Sequence, residues 1–447
     1  MPPFPGTAAT VRGEGGAWLD ALWVEIRRTV KEVWATAGRP REVFLAVDGV
    51  VPMAKIRQQR VRRFKSAWLR RETDDWDQNA ITPGTEFMEH LGVMLKEMCR
   101  QEGTGWTISG ADQPGEGEHK IMARLRESPK GLTLVYGLDA DLILLCLLTE
   151  ATTGTPLWLI RETQEFEARG EGYTFLNLGE VRRRLNLETT ESVVNYVAMM
   201  SLMGNDFLPH SLTYKLNDDG HEAVLEELKK PIVALRNGRW CILMARFKEI
   251  CAGWARDEQM RFVQMIQKKQ QQARRGVGKG MDESEGLPLK WNVEAVFEDN
   301  GQLRADWRDV YWGYIHDAGD RKPLCYEYAR GLQWILDYYT GRQVNQQWLF
   351  PAWIPPLWGD FACLEETNLD IEPSNVEPIK PQEQLAMVLP VESWGLVRGA
   401  LRTAPRAAPQ FWPREFEFFS FGRTWFWQCE ARVPVLMVER LRAITAH

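Results

Sequence analysis

Neither a membrane-length apolar run nor a cysteine framework is found in this chain of 447 residues. The apolar stretch beside its acidic centre, 142–148, is far too short to cross a bilayer. The opening MPPFPGTAATVRGEGG has no apolar core of the kind a secretory signal needs; its Pro and Gly content predicts disorder over 1–16. Seven cysteines, at 99, 146, 241, 251, 325, 363 and 429, form no CxxC pair and no Cys/His cluster. That spacing argues against structural zinc and a disulfide frame, and for reduced thiols. Positive charge is in short supply as well: 55 Lys and Arg against 61 Asp and Glu leave a net charge of −6. A nucleic-acid partner would therefore have to meet a local basic patch, not a general positive field. No internal repeat is apparent. These features predict a soluble, intracellular chain, cytoplasmic in preference to nuclear and monomeric. Its length allows more than one domain, or one large core with insertions.

What is present in quantity is acid at close spacing. Between Ser109 and Leu145 the chain reads SGADQPGEGEHKIMARL and then, after a short linker, GLTLVYGLDADLILL. It holds two carboxylate pairs, Glu116/Glu118 and Asp139/Asp141. The first pair sits in a Pro-Gly-Glu-Gly-Glu turn opening a helix, since Ile121, Met122 and Leu125 follow at helical spacing. The second pair follows the apolar run 132–136, a buried strand by length and content. Ligand sites in open α/β sheets lie beyond the carboxyl ends of strands, where Asp139 and Asp141 would project. Four carboxylates there repel one another unless protonated or neutralised, and the hard cation suited to them is Mg²⁺ or Mn²⁺.

Earlier in the chain, Trp18 to Trp34 reads as an amphipathic helix and Val43 to Val47 as a continuous apolar strand ended by Asp48-Gly49. An acid directly after a strand is often only a helix cap. Pro52 to Trp68, PMAKIRQQRVRRFKSAW, is a helix with no acidic residue and six basic ones. Lys55, Gln59, Arg62 and Arg63 fall at i, i+4, i+7 and i+8 and share one face, while Ile56, Val61 and Phe64 supply apolar anchors. An isolated run of this kind is ordinarily a solvated face. Beside a metal site it becomes a receptacle for a phosphate, with Arg able to make bidentate contacts.

Residues 69–79 read as a short polar connection, followed by a helix with Thr82 as cap and Pro83 in its first turn. Trp106 to Ser109 is a brief strand. Further strands are predicted over Pro156–Ile160 and Tyr173–Leu176, and helices over Leu178–Leu185 and Val193–Met203. The last of these delivers a sixth carboxylate, Asp206, in a Gly-Asn-Asp turn. Residues 267–290 are polar and low in complexity, a flexible insertion and the best boundary between halves. The remainder is aromatic: of the twenty tryptophans several fall here. Tyr328, Leu332, Ile335 and Tyr339 have the spacing of a core helix, and Pro-rich WLFPAWIPPLW must be irregular, a candidate groove wall on which bases could stack.

AVDGVVPMAKIRQQRVRRFKSA, NAITPGTEFM, SGADQPGEGEHKIM, YGLDADLILL and MGNDFLPH resemble, in that order, motifs of the Xrn family of 5′→3′ exoribonucleases. The resemblance continues through GLQWILDYYTG, PQEQLAMVLP and GRTWFWQ, and so covers nearly all the chain from about residue 18. It implies an α/β, PIN/flap-nuclease-like, mixed and mainly parallel sheet flanked by helices, with a mostly helical, aromatic-rich C-terminal half. On that reading 17–266 are the nuclease core and 291–447 the C-terminal part of the catalytic region. Asp48, Glu116, Glu118, Asp139, Asp141 and Asp206 match the family's catalytic, metal-binding acids, implying two Mg²⁺ or Mn²⁺ ions. Lys55, Gln59, Arg62 and Arg63 match its pocket for the 5′-monophosphate of single-stranded RNA. The family's first strand, which carries one more metal-site Asp and a contact to the first base, has no counterpart in the sequence. The connection at 69–79 is shorter than usual, and the Cys set of a zinc knuckle is absent.

The implied chemistry is two-metal hydrolysis, one ion activating water and the other stabilising the leaving oxygen, at a separation of about 3.5–4 Å. It would release nucleoside 5′-monophosphates stepwise. A catalytically impaired RNA 5′-end-binding protein is the alternative that the unmatched Asp leaves open. A flap-type DNA nuclease fits less well, because Asp206 is followed by FLPHSLTYKLNDDG and not by a glycine-punctuated duplex-binding motif.

Overall fold

A computed structural model of the chain describes residues 15–69, 76–128, 131–137, 139–163, 172–274, 294–298, 302–315, 321–423 and 426–446. Two parallel strand pairs carry the acids. Strand β1 (Val43–Ala46) pairs in parallel with β2 (Trp106–Ser109), Val43 opposite Trp106 and Ala46 opposite Ser109. Strand β3 (Thr133–Tyr136) pairs in parallel with β4 (Leu157–Glu162), which pairs antiparallel with β5 (Tyr173–Asn177). In place of the single mainly parallel sheet that the resemblance implied, the described residues hold four small sheets, and these strands form two of them, one parallel and one mixed. The mixed α/β character stands.

Helices cover these strands. Helix α1 (Gly15–Thr36) begins three residues before the predicted start and packs Trp23, Val30 and Trp34 against Val43, Leu45 and Trp106. Helix α2 (Met53–Leu69) follows β1, and α3 (Glu86–Glu102) precedes β2. The cap of α3 is Thr85, whose hydroxyl accepts from the Met88 amide at 3.3 Å, and not Thr82. Gly84, at φ +93°, has left-handed backbone between the two, so the helix cannot run back to Pro83. Helix α4 (Gly117–Glu127) leads into β3, and α5 (Asp141–Thr153) follows it with Leu142, Leu145, Leu147 and Leu148 buried. Such all-round apolarity makes α5 a core helix, too short to span a membrane. Helices α6 (Leu178–Arg184) and α7 (Thr190–Met200) come next, α7 starting and ending three residues earlier than predicted. No described helix is long and apolar enough to cross a membrane.

A hairpin of β6 (Val233–Arg236) and β7 (Arg239–Ile242) precedes α8 (Met244–Ala255) and α9 (Glu258–Arg274). Residues 267–274 of the predicted flexible insertion are therefore helical, a correction; 275–290 lie outside the described residues, as do 1–14 of the predicted disordered start and 70–75 of the connection. In the C-terminal half, α10 (Arg321–Tyr339) buries Tyr328, Leu332, Ile335 and Tyr339 as their spacing predicts. WLFPAWIPPLW is irregular, but Trp348, Phe350, Ile354, Leu357 and Trp358 are buried in the main core. Those five pack the protein against itself, while Trp353 of the same segment is half-buried. Two cores meet at α2. One joins α4, α5, α7 and α10; the other joins Val51, Met53, Ile56, Val61 and Phe64 to residues 379–441, including α11 (Pro381–Val388). All seven cysteines are free thiols.

Candidate active site

The site begins with a turn laced to the end of β1. The Gly49 amide donates to the Gly115 carbonyl at 2.9 Å, and the Gly115 amide to the Val50 carbonyl at 2.7 Å. A Cβ on Gly49 would lie 1.8 Å from the Gln113 carbonyl oxygen, so only glycine fits after Asp48. This lacing brings Asp48 to the N-terminus of α4, where its Oδ1 accepts from the Gly117 amide at 2.6 Å. The helix-cap reading of Asp48 is correct in kind, but the helix is α4, not the adjoining α2. One carboxylate oxygen is spent on the cap, and the residue remains exposed.

From the same turn Glu116 points inward and is 3 % exposed. Lys55 of α2 sits 2.7 Å from one of its oxygens and also pairs with Asp206. The Tyr338 hydroxyl of α10 donates to Glu116 Oε1 at 2.9 Å. Among the described residues, the tightest group with donor atoms all within 4.8 Å of one another is Glu116, Glu118 and His119. The other acids surround this trio. Asp141 feels the charges of Asp206, Asp139 and Glu116, and Glu118 those of Glu116, Asp139 and Asp141. Asp206 also accepts from Gln58 at 3.2 Å. Asp139, like Asp48, is exposed, at the head of α5. The six predicted acids are thus gathered, two of them in a trio that includes a histidine absent from the predicted set and the other four around it.

Electrostatics identify what the gathering lacks. Burial, then repulsion from Glu116, Asp139 and Asp141, raises the Glu118 carboxyl to about 8. Burial and the charges of Asp206 and Asp139 raise Asp141 to about 7. Glu116 is also raised by burial, opposed by Lys55 and by the Tyr338 hydrogen bond. Burial opposes the charge on Lys55, but Glu116 and Asp206 outweigh it and raise its pKa. His119 is lowered to about 3 by burial and by Arg126 and Lys55, which keeps it neutral and able to ligate. Its Nε2 is buried without a hydrogen-bond partner. The carboxylates outnumber the ammonium groups beside them, and protons offset the surplus at Glu118 and Asp141. Oxygen donors beside a neutral imidazole suit a hard divalent cation.

The basic face of α2 continues from Lys55. Gln59 is fixed by Gln384 of α11, whose other amide atom accepts from the Val51 amide at 2.9 Å. Arg63 donates to the Ile81 carbonyl at 2.8 Å and to Asn79 at 3.3 Å. Burial lowers its pKa, as does Arg62 beside it, while Asp77 and Asp48 act the other way. Arg62 is exposed. Lys55 faces the acids, and Arg62 and Arg63 lie two turns farther on, a rise of about 10–12 Å along the axis. Arg57 and Arg60 of the basic run are not part of that face. Arg57 donates to the carbonyls of Phe350 and Ala352. Arg60 is 2 % exposed and donates to the carbonyls of Pro434 (3.0 Å), Met387 and Phe411, with burial lowering it to about 9. It ties α2 to the C-terminal half.

Sequence reasoning did not find His119, Gln58, Gln384 or Tyr338. His119 had a signal, being adjacent to Glu118. Tyr338 had none, standing 222 residues from Glu116.

A family model described as XRN 5′-3′ exonuclease N-terminus matches residues 17–163, and one described as Xrn1 helical domain matches 308–447. Human 5′-3′ exoribonuclease 1 is 28% identical over 90% of this chain and 29% of its own length. Arabidopsis thaliana 5′-3′ exoribonuclease 2 is 24% identical over 92% of this chain and 58% of its own. Saccharomyces cerevisiae 5′-3′ exoribonuclease 1 is 24% identical over 91% and 38%. The chain thus spans between 29% and 58% of the length of these relatives. Both family models and relatives over nine-tenths of the sequence agree: the chain belongs to the Xrn family of 5′→3′ exoribonucleases.

Proposed function

We propose that this chain is a 5′→3′ exoribonuclease that hydrolyses single-stranded RNA bearing a 5′-monophosphate and releases nucleoside 5′-monophosphates one at a time. The observation that carries this reading is a single helix, α2, serving two neighbouring groups. Lys55 and Gln58 contact acids of the cluster, and Arg62 and Arg63 lie farther along the helix. We assign Glu116, Glu118, Asp139, Asp141, Asp206 and Asp48 as the groups that hold two Mg²⁺ or Mn²⁺ ions, with His119 as a further donor. Bound divalent ions would supply an activated water and charge stabilisation on the leaving oxygen.

The protein's own part is positioning. Arg62 and Arg63 grip the terminal phosphate, whose planar-fork recognition suits a dianionic end and leaves no room for a cap. Gln384 and Asn79 hold Gln59 and Arg63 before the RNA arrives, so little side-chain order is lost on binding. Tyr338 fixes one oxygen of Glu116 and leaves the other for Lys55 or a cation. The two strand pairs, with acids at the carboxyl ends of β1 and β3, fit a PIN/flap-nuclease-like arrangement.

A second reading takes its support from Lys55, which already lies between Glu116 and Asp206 as an internal counter-ion. If that pairing persists with RNA bound, the same cradle retains 5′ ends without cutting them. The two readings separate on turnover. The exonuclease releases mononucleotides from 5′-phosphorylated RNA when Mg²⁺ is added, and much more slowly from 5′-hydroxyl RNA. Equal decay of both substrates would remove the role given to Arg62 and Arg63; tight binding without any product would favour the end-binding reading.

A further inference from the structure

A cavity of about 240 Å³ opens beside the Gln59–Arg63 face of α2. Ala54, Gln58, Val61, Arg62 and Lys65 form one wall, at i, i+4, i+7, i+8 and i+11. The opposite walls come from residues 205–210, from 349, 350, 352 and 353, and from Arg423 with residues 428–430. Four cationic side chains line it, Arg57, Arg62, Lys65 and Arg423, against two carboxylates, Asp206 and Glu430. It therefore backs onto the acid cluster through Asp206 and shares Arg62 with the cradle.

The lining contains polar groups with nothing to bond. Arg423 is 93 % buried by its 7 % exposure, and its Nε has no hydrogen-bond partner. Among the described residues its other nitrogens reach the His210 ring, at 2.6 and 3.1 Å, and Glu430 at 3.5 Å. Gln58, whose amide nitrogen is committed to Asp206, has a buried Oε1 without a partner. A buried guanidinium with an open N–H costs stability unless a ligand completes it. The surrounding field is positive. Burial, then Arg423 and Lys215, drives His210 well below its ordinary value, and burial and Arg423 lower Lys215 to about 8. A neutral His210 cannot balance Arg423. The void is at the small end for ligand pockets, enough for a phosphoryl group with part of a sugar and not for a stacked oligonucleotide.

We infer that this cavity is a second anion site, which takes a dianionic phosphate monoester through Arg423 and Arg62, with Gln58 Oε1 accepting from a hydroxyl of the ligand. Two sources share that chemistry: inorganic phosphate and the phosphate of a released nucleoside monophosphate. Assigning the ligand as product rests on the exoribonuclease reading; the anion site itself does not.

The test is calorimetric titration of the full chain with inorganic phosphate and, separately, with adenosine 5′-monophosphate, in EDTA so that no turnover occurs. Two classes of site are expected, one lost in Arg63→Gln and the other weakened at least tenfold in Arg423→Gln. Leu349→Trp, which fills the cavity from its wall and removes no charge, should abolish the second class too, and decides the matter if Arg423→Gln does not fold. Tighter binding of the mononucleotide than of phosphate at this site marks a product site, and equal binding an inorganic-phosphate site. If the cradle reading fails, only the Arg423-dependent class remains. Unchanged stoichiometry and affinity in folded Arg423→Gln, or in Leu349→Trp, would overturn the proposal.

Discussion

The acids predict a stability that falls as pH rises and that divalent cations restore. Glu118 titrates at about 8 in the folded chain against an ordinary 4.5, and Asp141 at about 7 against 3.8. Both raised values mean that the folded chain holds protons which the unfolded chain has released. The penalty is absent at pH values below the ordinary ones. It grows across the interval up to the folded values and is complete above them. Roughly three pKa units each correspond to about 4–5 kcal/mol per group at 1.36 kcal/mol per unit. Coupling between the two and residual solvent screening reduce this, so a combined cost of about 2–4 kcal/mol is the working figure. At about 2 cal/mol/K of unfolding entropy per residue, that is about 2–4 °C in Tm for a chain of this length. The assay is thermal unfolding in EDTA between about pH 6 and pH 8.5, repeated at saturating Mg²⁺. Tm should decline with pH in EDTA and stay level in Mg²⁺, with the EDTA slope flattened in Glu118→Gln. A parallel decline in both media, or an unchanged slope in Glu118→Gln, would refute the electrostatic reasoning.

Tyr338→Phe removes the donor that orients Glu116, and should weaken Mg²⁺ activation by about 10–100-fold with little change in Tm, read from the metal dependence of turnover. Arg60→Met strands the carbonyls of Met387, Phe411 and Pro434 in the interior. It should cost about 3–5 kcal/mol in denaturant unfolding, and a neutral result would mean that α2 is not held through them. Arg63→Gln should lose most of the preference for 5′-phosphorylated over 5′-hydroxyl RNA, measured as the ratio of the two decay rates, about tenfold or more. Mg²⁺ binding should release protons near neutrality, because Glu118 and Asp141 must ionise to ligate. Calorimetry in buffers of different ionisation enthalpy would expose a lack of such release.

What the sequence disclosed was local. Asp48 follows an apolar strand and Asp139 another, so both could be placed at strand ends without knowing what lay between them. Lys55, Gln59, Arg62 and Arg63 share a face by arithmetic alone, and Lys55 contacts two of the acids. The failures have the opposite character. Arg60 belongs to the same basic run, but its partners lie more than 300 residues away and convert it from surface charge to a buried tie. Tyr338 reaches Glu116 only because α10 packs against α4. Thr82 and Thr85 are equally good caps by composition, and the left-handed backbone at Gly84 decides between them. The tryptophans of WLFPAWIPPLW suggested a stacking surface because composition records aromatic rings and not which way they face; most of them face the core.

The account rests on divalent ions and an RNA 5′ end meeting at opposite ends of one face of α2. Crystals grown with Mn²⁺ and a short 5′-phosphorylated oligonucleotide test this directly, through the anomalous signal of the metal. The predicted result is manganese bounded by Glu116, Glu118, Asp141 and Asp206, with the terminal phosphate on Arg62 and Arg63. Manganese bound elsewhere, or a terminal phosphate lying away from both arginines, would contradict it.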